Sequence, residues 1–417
     1  MAIIAKKDKI GVGVQYLLTG NQDLTINKGV VVQSTEDNAV RAATGRHDIT
    51  VAGTIIAYIH AIELSADVSG QRIIIQTTGS LLSDIGPAIY IGGRNTTIAN
   101  NGSIYSGKGI ILGGVGGSTT ILNSGVISGA DSISVLNNQK LVLRNSGVIS
   151  TPNSEAVEAG SANDLIVNRG RIIGTIDLGD GNDRYDGKGG FHSGSIFAQG
   201  GNDTFIVGRG AEVINGGDDT DLLDFRKSGP VKVALDQSFA GTGMAKGDSY
   251  SAIENLFGSL RGADRLRGDI NNNQINGFGG RDKIEALAGQ DTLVGGAGKD
   301  TLNGGGVGDD FFRFTKPGEG GDIIQDFSSD DGLGDNDTIE VAASGFKGGL
   351  SAGALGIGQF KSGGNNQAGD GNDRFIFRTG DTTLWFDRDG NGNAFAPVLI
   401  ADLQAGATMT NLDILIF

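Results

Sequence analysis

The strongest constraint on the fold of this chain is a nine-residue period between Ser259 and Arg313. Six units read SLRGADRLR, GDINNNQIN, GFGGRDKIE, ALAGQDTLV, GGAGKDTLN and GGVGDDFFR, with one extra residue, Gly304, before the last. Gly or Asn occupies the fourth place, Asp or Asn the sixth, and a large apolar residue the eighth. A short, strict period of this kind predicts a parallel β-solenoid. A flexible Gly-rich linker is the alternative, but a linker would not keep the apolar residues in register. The residues in eighth place are Leu266, Ile275, Ile284, Leu293, Leu302 and Phe312.

The residue types at the fourth and sixth places predict calcium binding. Calcium is a hard cation that takes about 6–8 oxygen ligands from carboxylates and backbone carbonyls. Aspartate supplies the charge, and glycine permits backbone conformations in which carbonyl oxygens point at an ion. The apolar residue in the eighth place would lie on a short strand with its side chain in the core.

The units closely resemble the RTX consensus GGxGxDxUx, where U is a large apolar residue. The resemblance implies a β-roll in which two units make one coil, so that like positions stack every 18 residues. On one edge it places Asp264, Asp282 and Asp300. On the other it places Asn273, Asp291 and Asp310, where the extra Gly304 accounts for one spacing of 19. The glycines that it implicates in calcium binding are Gly279, Gly280, Gly296, Gly298, Gly306 and Gly308.

Three similar units lie earlier in the chain, at Leu178–Asp186, Ala198–Ile206 and Gly216–Asp224. Their sixth places hold Asp183, Asp203 and Asp221. The intervening units place His192 and Glu212 where an aspartate is expected, so only one edge of this first roll has the calcium pattern. We expect His192 to be a solvent-facing turn residue rather than a ligand. The segment from Phe225 to Gly258 resembles the insert between RTX blocks, and we expect it to continue the solenoid with longer loops.

The C-terminal part carries further calcium signals. The segment Gly320–Val341 resembles the segment that closes RTX rolls, and a terminal strand pair that covers the open end is the plain alternative. Asp322, Asp326 and Asp337 in this segment would add one ion. Asp373 lies in an isolated nine-residue match. Asp387, Asp389 and Asn391 show a D-x-D-x-N spacing that suits calcium, although a plain turn fits them equally because no second acidic ligand follows at the EF-hand distance.

A slower period organises residues 23–177. Glycines recur there every 22 to 26 residues, namely Gly29, Gly53, Gly79, Gly102, Gly125, Gly147 and Gly170. Aliphatic residues recur two places after these glycines. Asparagines recur two places before them, namely Asn27, Asn100, Asn123, Asn145 and Asn168. Apolar period 2 without helical spacing predicts about seven coils of a parallel β-helix, in which stacked Asn side chains bond along the ladder. A β-sandwich is the alternative. This half resembles β-helical passengers and polysaccharide-acting β-helices in period and pattern alone.

The charge is concentrated in the calcium half. Residues 1–176 carry 13 Lys and Arg and 12 Asp and Glu, whereas residues 177–417 carry 20 and 36, so net charges of +1 and −16 add up to −15. Metal binding would relieve this repulsion, and its free energy would become folding free energy. An acidic chain argues against nucleic-acid binding. The absence of Cys excludes disulfides and thiolate metal sites.

The two ends of the sequence predict export. The start, MAIIAKKDKI, lacks the apolar core of a secretory signal peptide, and no apolar run reaches the roughly 18–20 residues of a membrane span. The end, LQAGATMTNLDILIF, resembles the uncleaved C-terminal signal of type I secretion substrates. The resemblance implies a secreted, extracellular or surface-associated protein that passes the type I apparatus unfolded and folds where calcium is abundant.

The predicted fold is all-β: a parallel β-helix followed by an RTX β-roll solenoid and a β-rich C-terminal cap. We predict the β-helix at 1–176, a first roll with its insert at 177–258, a second roll and its closing segment at 259–341, and a C-terminal cap with the secretion signal at 342–417.

The residues favour a calcium-folded structural, adhesive or matrix protein over an enzyme. The alternative is a polysaccharide lyase or epimerase that acts in the β-helix groove near Arg46, Arg72 and Tyr90, with extracellular polysaccharide as the partner. The outward column of the second segment in each coil reads Arg41, Glu63, Tyr90, Ile111, Ser134 and Glu158, and it contains no paired acids. No HExxH motif of a zinc protease occurs.

Overall fold

The computed structural model of the chain describes residues 2–66, 68–329 and 335–417. The described residues fall into two compact units. Unit one comprises residues 1–221 and 248–252, and unit two comprises residues 222–247 and 253–417. Residues 330–334 of the predicted closing segment lie outside the described residues.

Unit one is a solenoid in which each strand pairs in parallel with the equivalent strand of the next coil, which confirms the predicted β-helix. The first sheet contains Ala2–Ala5, Asp23–Ile26, Asp48–Val51, Arg72–Ile75, Thr97–Asn100, Ser118–Asn123, Lys140–Asn145, Leu165–Asn168, Arg184–Asp186 and Thr204–Ile206. The second sheet contains Lys9–Gly11, Val31–Ser34, Thr54–Ala57, Ser80–Ile91, Ser103–Leu112, Val126–Ser128, Val148–Glu158, Arg171–Asp177, Phe191–Phe197, Glu212–Asn215 and Ser249–Ser251. Further strands pair beside the second sheet: Tyr16–Leu18, Val40–Ala42, Ile62–Leu64 and Asp131–Val135.

Inward columns of aliphatic side chains form the core of unit one. One column comprises Leu24, Ile49, Ile73, Ile98, Ile121, Leu143 and Ile166, all at most 1% exposed. In the first coils, the alignment that glycine spacing predicts differs from the observed strand register by one or two residues. Val31 pairs with Thr54, so Val32 rather than Val31 pairs with Ile55 and faces inward. Coils of unequal length accommodate their extra residues in the turns, where spacing from a glycine no longer reports the strand register.

A ladder of buried asparagines runs along unit one, as the sequence predicts. Asn100 donates from Nδ2 to Oδ1 of Asn123 at 2.8 Å, Asn123 donates to Asn145 at 2.8 Å, and Asn145 donates to Asn168 at 2.9 Å. Asn27 lies outside this ladder, since the strand register places Ile26 in the column of Asn100. The amides therefore satisfy one another inside the solenoid, where an unpaired polar group would be costly.

Unit two also consists of parallel coils. One sheet contains Leu222–Asp224, Asn255–Phe257, Gln274–Asn276, Thr292–Val294, Phe311–Phe314, Thr338–Val341 and Ile414–Ile416 in parallel, with Gly353–Ala354 antiparallel to the last. A second sheet begins with the parallel strands Lys232–Ala234, Arg265–Arg267, Lys283–Ala288, Thr301–Val307, Asp322–Ile324 and Val398–Leu403. It continues through Thr383–Phe386, Phe375–Arg378 and Phe360–Gly363, which make antiparallel, antiparallel and parallel pairs. Gly279–Gly280 pairs with Ala297–Gly298 at a turn.

Short helical turns complete the described structure. The α-helical turn is Ala343–Phe346, and the 3-10 turns are Gly243–Ala245, Pro317–Glu319, Ile357–Gln359 and Asn411–Asp413. In the described part of the chain, no helix is long and apolar enough to cross a membrane.

The insert and the tail add strands rather than flexible linkers. The predicted VKVAL strand of the insert is present as Lys232–Ala234 in unit two, and its Ser249–Ser251 belongs to unit one. The tail strands Val398–Leu403 and Ile414–Ile416 each extend a sheet of unit two, which confirms the predicted β-rich cap.

The extra residue of the last nonapeptide lies at Gly306 rather than at the predicted Gly304. Strand Lys283–Ala288 pairs with strand Thr301–Val307. In this pair Leu287 lies opposite Gly305 and Ala288 lies opposite Val307, so Gly306 has no partner across the ladder and forms a β-bulge. Gly306 is exposed at the surface, where one additional residue disturbs no core contact.

Candidate metal centre

Two ladders of buried acidic or amide side chains run along unit two. The backbone N–H of Asp264 donates to Oδ1 of Asp282 at 2.8 Å, that of Asp282 to Asp300 at 2.8 Å, and that of Asp300 to Asp322 at 2.9 Å. On the other edge, Asn273 donates to Asp291 at 2.6 Å, Asp291 to Asp310 at 2.9 Å, and Asp310 to Asp337 at 3.0 Å. The structure thus brings together the residues that the sequence assigns to each edge, and all of them are at most 3% exposed.

A similar ladder lies in unit one. The backbone N–H of Asp164 donates to Oδ1 of Asp183 at 2.6 Å, that of Asp183 to Asp203 at 2.6 Å, and that of Asp203 to Asp221 at 2.8 Å. Leu141 donates to Asp164 at 2.6 Å, which places Asp164 at the N-terminal end of the ladder.

One carboxylate oxygen in most of these residues lacks a hydrogen-bond partner. Oδ2 is buried and unpartnered in Asp164, Asp183, Asp203, Asp282, Asp291, Asp300 and Asp322. Asp264 differs, because Ser259 donates to its Oδ2 from the backbone N–H at 2.6 Å and from the hydroxyl at 2.9 Å. A buried, unsatisfied anionic oxygen is costly, so its repetition in register points to a cation as the partner.

Gly295 shows how two of these oxygens converge. A Cβ built on Gly295 would lie 2.6 Å from Oδ2 of Asp300 and 3.0 Å from Oδ2 of Asp322. Two unpartnered carboxylate oxygens from successive coils therefore face one small space that only glycine leaves open. Gly298, with a φ of +152°, also needs to be glycine, because a Cβ on it would lie 1.7 Å from the carbonyl oxygen of Gly280 one coil earlier. Carboxylate and carbonyl oxygens are the ligands that calcium takes.

The electrostatics of the ladders also favour a cation. Burial, reinforced by neighbouring carboxylates, raises the pKa of Asp183 to about 8, of Asp282 to about 7 and of Asp322 to about 8. The carboxylate form is therefore unfavourable at neutral pH unless a proton or a metal ion neutralises it. Across residues 2–66, 68–329 and 335–417, no three His, Cys, Asp or Glu side chains form a ready metal cluster.

His192 and Glu212 are core residues, and the expectation that His192 faces solvent is wrong. The strand pairing aligns His192 with Ile172 of the aliphatic column, so its ring points inward and is 0% exposed. Its Nε2 lies 3.0 Å from the carbonyl oxygen of Gly174. Glu212 is equally buried; it accepts from the Tyr185 hydroxyl at 3.2 Å and from the backbone N–H of Gly208 at 3.0 Å.

The tail motif forms a turn with its own hydrogen bonds. The backbone N–H of Asp389 donates to Oδ1 of Asp387 at 3.2 Å, and Ala394 donates to Oδ2 of Asp389 at 2.9 Å. Oδ1 of Asp389 is buried without a partner, and burial together with Asp389 raises the pKa of Asp387. The backbone N–H of Asn391 donates to the carbonyl oxygen of Asp370 at 2.9 Å, which joins this turn to the turn of the isolated nonapeptide.

The structure does not place the two arginines of the enzymatic alternative in one column. Arg72 pairs with Asp48, whereas Arg46 lies beside Gly70. The column that the sequence predicts does form, but Ile111 and Ser134 in it are buried rather than exposed. Register pairs connect Arg41, Glu63, Tyr90, Ile111, Ser134 and Glu158 in that order.

Sequence reasoning missed Asp164 altogether. A signal was present, because the dipeptide Asn-Asp recurs at 163–164, 182–183 and 202–203. The asparagines form their own ladder: Oδ1 of Asn163 accepts from the backbone N–H of Asn182 at 3.1 Å, and Oδ1 of Asn182 accepts from that of Asn202 at 2.9 Å.

A comparison with known protein families agrees with this geometry. The family model of the RTX calcium-binding nonapeptide repeat matches residues 193–225, 260–293 and 276–312. The chain therefore carries RTX calcium-binding nonapeptide repeats. A solved structure that it resembles is the AlgE6R3 subunit of the mannuronan C5-epimerase of Azotobacter vinelandii, with 28% identity, 37% of this chain and 81% of that chain covered, and a TM-score of 0.24. No curated protein matches the chain at a significant level.

Proposed function

We propose that this protein is a secreted structural or adhesive solenoid that binds several calcium ions in its carboxylate ladders and is stabilised by them. The observation that carries the calcium assignment is the repeated, buried and unpartnered Oδ2 atom. The ladder residues that would hold the ions are Asp183, Asp203, Asp221, Asp264, Asn273, Asp282, Asp291, Asp300 and Asp310, with glycine carbonyls of the turns. Calcium would supply positive charge and would satisfy oxygens that no protein group reaches.

The charge of the chain supports folding outside the cell. Repulsion among the buried carboxylates opposes the folded state until cations bind. An ion that binds only the folded chain, at about 100 times its dissociation constant, stabilises it by about 2.7 kcal/mol. Several such sites would make the ladders stable in extracellular calcium and weak in the cytosol, which fits export of an unfolded chain by a type I apparatus.

Calcium titration of the full chain tests this proposal. We expect added calcium to increase both the β-sheet signal in circular dichroism and the melting temperature. We expect Asp300→Asn to lower the number of bound ions. Asp218→Asn is the matched control, because Asp218 lies in a nonapeptide turn but is exposed. An unchanged melting temperature with calcium or chelator would overturn the calcium assignment.

A column on unit one that includes Arg41, Glu63, Tyr90 and Glu158 supports a binding or spacer role for the β-helix. Pull-down of the calcium-loaded protein on acidic and neutral polysaccharides, with chromatography of the sugars, tests this role. Binding without chemical change of the sugar supports the adhesive role. Chemically altered sugar would contradict that role and support the enzymatic alternative. Export is tested separately by expressing the full chain with and without a type I apparatus; equal amounts in the medium would contradict the proposed route.

A further inference from the structure

Asp164 is a buried carboxylate that lies one coil before the first nonapeptide. It is 3% exposed, and it lies outside every range that the family model matches. Its Oδ1 accepts from the backbone N–H of Leu141 at 2.6 Å, and its own N–H donates to Oδ1 of Asp183 at 2.6 Å. Oδ2 of Asp164 and Oδ2 of Asp183 are both buried with no partner.

The turn before Asp164 has the geometry of the roll turns. Asn163 accepts from the backbone of Asn182 as Asn182 accepts from that of Asn202. The carbonyl oxygen of Ala162 would lie 2.8 Å from a Cβ on Gly181, so a backbone oxygen also faces this step. Two buried, unpartnered carboxylate oxygens and a nearby backbone carbonyl oxygen thus occur at this step of the solenoid.

The same coil belongs to the β-helix. Strand Leu165–Asn168 pairs in parallel with Lys140–Asn145 on one side and with Arg184–Asp186 on the other. Its Asn168 accepts the last bond of the asparagine ladder, from Asn145 at 2.9 Å. An ion at Asp164 would therefore act directly on a coil of the N-terminal β-helix.

We propose that Asp164 and Asp183 hold a divalent cation, with calcium as the chemical match, and that calcium thereby stabilises the C-terminal coils of the β-helix. This inference rests on the proposed function, since it extends the carboxylate ladder by one coil.

Counting bound ions in four full-length proteins tests the inference. Equilibrium dialysis with calcium would compare the wild type with Asp164→Asn, Asp300→Asn and the exposed control Asp218→Asn. We expect one ion fewer for Asp164→Asn and for Asp300→Asn, and no change for the control. If Asp300→Asn loses an ion and Asp164→Asn does not, this inference is wrong while the proposed function stands. If the wild type binds no calcium, both are wrong.

Hydrogen exchange of the wild type provides a second test that requires no folded variant. We expect calcium to slow exchange of the amides in Leu165–Asn168 at least tenfold more than in Thr97–Asn100, a strand of the same sheet that lies far from any ladder aspartate in sequence. Equal changes in both strands, or none in Leu165–Asn168, would overturn the inference.

Discussion

The backbone N–H of Asp282 donates a 2.8 Å hydrogen bond to Oδ1 of Asp300, the equivalent residue one coil later. The second oxygen of Asp300 is buried and has no partner. One carboxylate therefore connects two coils through Oδ1 and leaves Oδ2 for a cation. Because one carboxylate sets the coil register and would also hold the proposed ion, register and ion binding should be coupled in this protein.

Filling the space at Gly295 should remove an ion. A Cβ in Gly295→Ala would lie 2.6 Å from Oδ2 of Asp300, closer than carbon and oxygen pack. We expect one bound calcium fewer and a loss of roughly 1–3 kcal/mol in the calcium-loaded free energy of unfolding. Gly358→Ala is the control, because Gly358 is exposed, lies outside the ladders and has nothing within 4 Å of such a Cβ. Isothermal titration with calcium and urea unfolding in calcium would check both variants. If Gly295→Ala binds as many ions as the wild type, the ion does not lie at Gly295.

Breaking the asparagine ladder should destabilise unit one without affecting the ion count. Asn145→Ala removes the acceptor of Asn123 and the donor to Asn168, so each of these buried amides loses one of its hydrogen bonds. We expect a loss of roughly 1–3 kcal/mol in urea unfolding at fixed calcium. Asn101→Ala removes an exposed side chain whose partner is the Ser124 hydroxyl, and it should change stability by less than about 0.5 kcal/mol. A similar cost for both variants would show that the ladder adds little.

Buried His192 should make unit one sensitive to acid. Burial lowers the pKa of His192 from 6.5 to about 4, so the ring stays neutral in the folded state while it becomes protonated in the unfolded state. This contribution to stability is present above pH 6.5 and is lost as the pH falls towards 4; the shift corresponds to roughly 3 kcal/mol. His192→Ile restores the aliphatic column of Ile172 and removes the titration. We expect the difference in stability between the variant and the wild type to favour the variant more at pH 5 than at pH 8. Parallel pH dependences of melting temperature for the two proteins would refute this account.

Glu212 should act in the opposite direction. Burial raises its pKa from 4.5 to about 7, and nearby Asp248 adds to the effect. The folded state then keeps a proton that the unfolded state has lost, so the contribution to stability is present below pH 4.5 and is lost as the pH rises through 7. Glu212→Gln can still accept from Gly208 and no longer ionises. We expect it to be more stable than the wild type at pH 8 and to differ less at pH 5, as thermal melting would measure. Greater stabilisation at pH 5 than at pH 8 would contradict the sign.

Much of the fold could be predicted from sequence periodicity, because each coil of a solenoid repeats the contacts of the coil before it. Leu266, Ile284 and Leu302 lie 18 residues apart and occupy one buried column, so spacing alone predicts which residues stack. The asparagine ladder and the outward column from Arg41 to Glu158 follow for the same reason. The predicted domain divisions at residues 176 and 258, and the assignment of individual calcium ligands, stay predictions.

The sequence by itself determined the all-β solenoid class, the two edges of the second roll and the concentration of acidic residues in that half. Only the tertiary structure decided the position of each residue where coil lengths vary. It placed His192 in the column of Ile172, Gly306 at the bulge and Asp164 at the start of a carboxylate ladder. The physical reason is that backbone hydrogen bonds between strands set the register. Extra residues in a turn lengthen the interval along the chain but do not change which strand residues pair.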